Sequence, residues 1–223
     1  MEKLDVVAGF DWLDKEEKVG TLGHESLRGS DVFSFEFDKA WLRSHSDIIL
    51  GKDLLPFTGI QYSPSASRIF GCFSDALPDR WGRRLIDLRV SQERKGKGLS
   101  AYTLSDWDYL KGVEDGLRMG GLRFKDPANG AYVGTTPDYS VPPVLHIDEL
   151  LQAAGEIEKS DYKHIEPAEK WVQRLFQPGS SMGGARPKAC VESGGNLYLA
   201  KFPSVKDRVN VSRWEHFAHL MAR

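Results

Sequence analysis

"FQPGSSMGGARPKACVESGGNLYLAKFPS", residues 176–204, is a run of small residues followed by two β-prone segments on either side of SGGN. Small residues let backbone N–H groups approach an anion closely. Ser180, Ser181, Gly183, Gly184 and Ala185 can therefore line an anion cradle, to which Arg186 and Lys188 add positive charge. KACVE and LYLAKF around SGGN predict a β-hairpin with Lys201 emerging from its second strand.

Working outward, two familiar phosphate loops do not fit. G-x-x-x-x-G runs from Gly179 to Gly184, but Ala185 and Arg186 stand where a Walker loop needs Lys and Ser/Thr. The G-x-G-x-x-G of ordinary protein kinases is absent as well. Beyond the hairpin, Asp207 or Asn210 can cap a helix over 209–222, whose Trp214, Phe217 and Met221 (i, i+3, i+7) predict an inward face. Glu215 lies off that stripe. Loop, hairpin, strand lysine and helix glutamate follow the order of a kinase N-lobe, where such a pair holds nucleotide phosphates. A glycine-rich hairpin with one exposed lysine is also an ordinary structural element, and both readings stand on these residues alone.

The first sixty residues read as a small β-rich unit. DVFSFEFD (31–38) alternates apolar and polar positions with high aromatic content, and KLDVVAGF supplies a neighbouring strand. In CFSDALPDRWGRRLIDLRVSQERKG (72–96) the period changes. Leu77, Trp81, Leu85 and Leu88 form one helical stripe, predicting a helix near 76–94. From Arg80 to Gly98 seven basic residues outweigh two acidic ones, which fits either a solvated helix face or an acidic or nucleic-acid partner. Ser105, with Asp108 three residues on, caps a further helix, and Leu104 and Tyr109 have hydrophobic-staple spacing. DPANGAYVGTTPDYSVPP (126–143) reads as a connector, and a helix resumes near 148–158 with Asp148 as its cap.

The totals exclude several classes. With 223 residues and a formal charge of −2, the molecule is not a polyanion binder by its bulk field. No apolar run approaches 18 residues and the N-terminus has no signal-type apolar stretch, so a cytoplasmic protein without membrane contact is expected. Cys72 and Cys190, far apart and without C-x-x-C spacing, read as free thiols. The order Glu215, His216, His219 is not that of a zinc protease, and no metal is assigned to this chain.

SSMGGARPKA, LYLAKFPS, LPDRWGRRLI and LSDWDYLKGVEDGLRMGGLRF together resemble the HipA family, the serine/threonine-protein kinase toxins of bacterial toxin–antitoxin pairs. VGTL, FSFEFD and FSDALPDRWGR are similar to that family's N-terminal subdomain. The resemblance implies an α+β protein. A β-rich N-terminal subdomain with helices occupies 1–125, a connector 126–145, and the start of a truncated kinase-like N-lobe 146–223. It implies that Gly183, Gly184, Ala185, Arg186, Pro187 and Lys188 form the nucleotide-binding loop, and that Lys201 contacts ATP with Glu215 as its ion-pair partner. It further implies that Ser181 is the autophosphorylated residue whose phosphate shuts the site. The implied cofactors are ATP and Mg2+. The implied partners are a helix-turn-helix antitoxin of the HipB type, DNA reached through that antitoxin, and a protein substrate such as a translation factor.

One departure limits the reading. Family members carry their catalytic and metal-binding aspartates in a C-terminal lobe, whereas only Asp207 and Glu215 follow Lys201 here. The expectation is an N-terminal portion with no catalytic residue of its own, weak ATP binding at most, and no turnover alone. The alternative is a non-catalytic module that docks an antitoxin, a DNA-bound repressor or the other half of a split kinase.

Overall fold

A computed structural model of the chain describes residues 1–27, 29–64, 67–135, 141–162, 167–176 and 184–223. They form two compact units of mixed α and β structure. The first comprises 1–78 and 103–137, the second 79–102 and 138–223.

In the first unit an antiparallel sheet has the order β4-β3-β2-β1-β5, built from β1 (Glu2–Ala8), β2 (Glu17–Leu27), β3 (Ser30–Phe37), β4 (Ile60–Tyr62) and β5 (Leu122–Lys125). The alternation in 31–37 has its cause here, for Phe33, Phe35 and Phe37 are all buried. Three short helices complete the unit: α1 (Lys39–Ser44), α2 (Gly71–Ser74) and, further on, α4 (Asp106–Gly112). They contribute Trp41, Phe73 and Trp107 to the same core. Ser105 caps α4 as expected, in a reciprocal capping box with Asp108. The strand at 17–27 escapes the sequence reading because glycines interrupt its pattern. Gly20 is required there by close approach, since a Cβ would lie 2.3 Å from the Glu36 carbonyl oxygen and 2.5 Å from the Phe35 ring.

A buried arginine ties the far end of this unit together. Arg118 donates to the carbonyls of Ala76 (3.0 Å), Leu110 (3.0 Å), Val113 (3.1 Å) and Val133 (3.4 Å), and its guanidinium lies 5.1 Å from the Phe124 ring centroid. Burial pushes its pKa down to about 10, which leaves it charged at neutral pH.

The second unit packs α3 (Arg80–Gly96), α5 (Ile147–Tyr162) and α6 (Glu169–Phe176) with a hairpin of β6 (Lys188–Ser193) and β7 (Asn196–Lys201), and ends in α7 (Val211–Met221). Its core joins Trp81, Leu85, Ile157, Val172, Leu175 and Val191. The stripe read as one helical face is divided. Trp81, Leu85 and Leu88 belong to this core, while Leu77 lies before the helix in the core of the first unit. Thus α3, which the sequence reading groups with the N-terminal subdomain, packs with the elements that follow the connector. Asp148 falls in the first turn of α5 rather than at its cap, because a short 3-10 turn over Val144–His146 leads directly into the helix. Asn210 does cap α7, accepting from the Arg213 N–H at 3.0 Å. The expected inward face of α7 is not found. Trp214, Phe217 and Met221 are 62%, 52% and 72% exposed, because none of the helix's residues is buried against the second unit.

Candidate functional site

The hairpin is built as its sequence dictates. Gly194 and Gly195 have φ of +59° and +80°, the left-handed pair that a two-residue turn between twisted strands requires. The Glu192 carboxylate accepts from the Gly195 N–H at 2.6 Å, and the register sets Lys188 opposite Lys201. The strands differ in cover. Lys188–Val191 of β6 are buried beneath α5 and the 142–143 segment, whose Pro142 carbonyl accepts from the Glu192 N–H, while Leu197 and Tyr198 of β7 are exposed.

Lys201 Nζ lies 3.0 Å from Glu215 Oε2, joining the end of β7 to α7, with both side chains about half exposed (47% and 49%). An exposed ion pair of this kind contributes only about 0–1 kcal/mol. The pair fixes the direction of an ammonium that remains open to solvent and to ligands.

Arg186 is held elsewhere. Its guanidinium makes a two-pronged bond with Asp207, Nη1 to Oδ1 at 2.8 Å and Nη2 to Oδ2. Arg186 and the Ser204 N–H hold the Asp207 carboxyl below the usual range, and Asp207 in turn raises the guanidinium. The same turn is fastened to α5, since Glu158 accepts from Ser204 Oγ and the Val205 N–H, both at 2.8 Å.

Lys188 turns inward. Its Nζ lies 2.5 Å from Asp79 Oδ2 and donates to the Gly184 carbonyl at 3.0 Å, with the lysine and aspartate side chains 2% and 8% exposed. The other Asp79 oxygen accepts from the Gly82 N–H at 2.7 Å and so caps α3, while Trp81 Nε1 donates to the Lys188 carbonyl at 3.0 Å. The Lys188 ammonium is therefore used up inside the protein. Sequence reasoning has no access to this, because a contact across 109 residues leaves no local pattern.

Of the remaining expected residues, Gly184 (φ +98°) and Ala185 are exposed and Pro187 is buried. Gly183 and Ser181 lie outside the described residues, as do the rest of 177–183. Loop, Lys201 and Glu215 are thus gathered in one unit, with Arg186 bound to Asp207 and Lys188 to Asp79. Among the described residues no three His, Cys, Asp or Glu side chains converge on a point where a metal ion could sit. Cys72 and Cys190 are free thiols. In the first unit a cavity of about 350 Å³ is lined by Phe10, Trp12, Ile48, Cys72, Asp75 and Met119.

Residues 12–101 match the family model described as the HipA N-terminal domain. The chain carries a HipA N-terminal region. No curated protein matches the chain. The HipA match begins just before β2 and runs through the sheet strands β2 to β4 to the end of α3. Its last helix, α3, is the one whose cap holds Lys188. The matched HipA segment therefore reaches into the second unit and touches the base of the glycine-rich loop. No helix of the described residues is long and apolar enough to cross a membrane.

Proposed function

We propose that this chain is the N-terminal portion of a HipA-like serine/threonine-protein kinase toxin, and that 183–188 with Lys201 forms half of its ATP site. The Lys201–Glu215 pair carries the reading. A half-exposed lysine on the second strand of a hairpin, held 3.0 Å from a helix glutamate beside a glycine-rich loop, matches what phosphate binding in a kinase N-lobe requires. ATP, when bound, supplies the transferred phosphoryl group. The chain's own contribution is binding, with loop backbone amides and Lys201 facing the phosphates and Glu215 orienting the ammonium. In this reading the magnesium ligands and the catalytic base lie outside the described residues. In the same reading Ser181 is the autophosphorylation site, because a group of about −2 charge cannot share a cradle with ATP phosphates. A helix-turn-helix antitoxin of the HipB type, DNA through it, and a protein substrate such as a translation factor complete the assignment.

A second reading has its own support. The exposed Trp214, Phe217, Leu220 and Met221 of α7 favour a non-catalytic module that docks a protein partner.

Titration of the 15N-labelled chain with ATP and Mg2+ separates the two. Saturable shifts confined to 184–188, Lys201 and Glu215, with a Kd weaker than about 100 μM, are expected. Lys201→Met should abolish them while leaving the melting temperature within about 3 °C, since an exposed pair is worth about 1 kcal/mol at most. Absence of any shift at these residues at 10 mM nucleotide, at most about a hundred times that Kd, overturns the nucleotide reading and leaves the docking module.

A further inference from the structure

Lys188 is a cation in a glycine-rich loop, and sequence alone makes it a phosphate ligand. Its surroundings argue otherwise. The side chain is 2% exposed, and its ammonium is engaged by the Asp79 carboxylate at 2.5 Å and by the Gly184 carbonyl at 3.0 Å. Withdrawing the lysine leaves the buried Asp79 carboxylate uncompensated in a low-dielectric site, where it cannot be resolvated without opening the loop. A phosphate arriving at the loop does not offer enough to draw the ammonium out, because Asp79 would remain buried behind it.

The bonds also have a direction. Lys188 reaches back along the chain to the Gly184 carbonyl, so the five residues Gly184–Lys188 close on their own terminal ammonium. That ammonium is bolted to the first turn of α3, whose Asp79 simultaneously caps the helix and whose Trp81 indole holds the Lys188 carbonyl. The loop is thus fixed from beneath at both its side chain and its backbone, and all of these residues lie in the second unit.

We infer that Lys188 and Asp79 are positioning residues of the nucleotide site, which set the loop Gly184–Pro187 against helix α3 without touching the nucleotide. The inference rests on the nucleotide reading for the loop's purpose, but not for the lock itself. It brings Asp79, within the HipA-matched segment, into the machinery of a site that none of the matched residues lines. Loop amides and Lys201 are left as the phosphate-facing groups.

The test is lysine footprinting with an acetylating reagent on the whole chain, read by mass spectrometry with and without 10 mM ATP and Mg2+. Lys201, 47% exposed, should label at least tenfold faster than Lys188, and ATP should slow Lys201 while leaving Lys188 unreactive throughout. Rapid labelling of Lys188 that ATP suppresses overturns the inference and makes it a ligand. Lys201 labelling that ATP does not change overturns the nucleotide reading instead, and leaves the buried lock standing. No variant is needed for this arm, so it decides even if substitution unfolds the protein. A second arm compares 15N order parameters in Asp79→Asn, Lys188→Met and the double variant. They should fall clearly at 185 and 186 in each single variant, while those of 190–192 and 197–199 of the hairpin stay unchanged. A merely structural role would loosen loop and hairpin alike, and that outcome, or an unchanged loop, refutes the positioning role.

Discussion

Replacing Arg118 by Met is the sharpest test of how the first unit is held together. The guanidinium satisfies three carbonyls at 3.1 Å or less and a fourth at 3.4 Å, drawn from residues 76, 110, 113 and 133. Methionine fills much of the same volume but donates nothing. Hydrogen bonds from a charged donor contribute roughly 1.5–3 kcal/mol each, so three short ones set a gross loss of about 5–9 kcal/mol. Relaxation and entering water recover part of this. Asp115, whose Oδ1 lies 3.6 Å from Arg118 Nε, also loses its partner; breaking a buried ion pair costs about 3–5 kcal/mol net, and we take about 4 kcal/mol as the expected destabilisation. With a urea slope near 2 kcal/mol/M, the midpoint should fall by about 2 M. Near-ultraviolet circular dichroism follows the transition, because Phe124 beneath the guanidinium and Trp107 of α4 share the first unit's core. Arg118→Lys should lose about half as much, since a point ammonium cannot reach carbonyls spread around a planar fork. A shift below 0.5 M for Arg118→Met would refute the account and mean that these carbonyls find other donors at little cost.

Further predictions are more compact. Gly20→Ala drives a Cβ to within 2.3 Å of the Glu36 carbonyl oxygen, and should lower stability by about 1–3 kcal/mol in the same urea assay. The Cys72 thiol is pushed up to about 12 by burial, with Asp53 adding to it, so about one molecule in 10⁴ is thiolate at pH 8. Alkylation of the native chain at Cys72 should be at least a hundredfold slower than in urea, as measured by the mass shift with iodoacetamide. Glu2 is held below its ordinary 4.5 by bonds from Lys111 and the Trp107 indole, and Glu16 by Tyr132 and then Lys125. A carboxylate depressed on folding contributes stability above its unfolded pKa and loses it as pH falls through the folded value. Stability should therefore decline from about pH 4.5 downward, and Glu2→Gln should flatten that decline in a pH series of thermal melts.

What could be read from the sequence was local. Ser105 with Asp108, the alternating phenylalanines of β3 and the SGGN turn each state their structure within eight residues, so the period or the cap decides. Lys201 and Glu215 were recoverable because strand and helix follow each other directly, and the order of parts carries the geometry. The errors have a different origin. Strand β2 hides behind glycines selected by the Phe35 ring and the Glu36 carbonyl, which are neighbours only once the sheet exists. Lys188 reads as an open cation because nothing near it in sequence reveals Asp79. The periodicity of Trp214, Phe217 and Met221 gave the helix correctly but not its cover, for a helical stripe states that a face is apolar and not what lies against it.

The placement of α3 has a consequence for the newly made chain. Synthesis proceeds at about 5–20 residues per second, and Lys188 emerges 109 residues after Asp79, so the helix waits roughly 5–20 s before its strand partner exists. Its other partners, α5 and α6, also come later than the HipA-matched stretch. During that interval Trp81, Leu85 and Leu88 have no core of their own to enter. The stretch from 79 to 102 is thus a nascent segment with an uncovered apolar stripe flanked by arginines. It is most vulnerable once it has cleared the ribosome's exit tunnel and before α5, α6 and β6 have followed it.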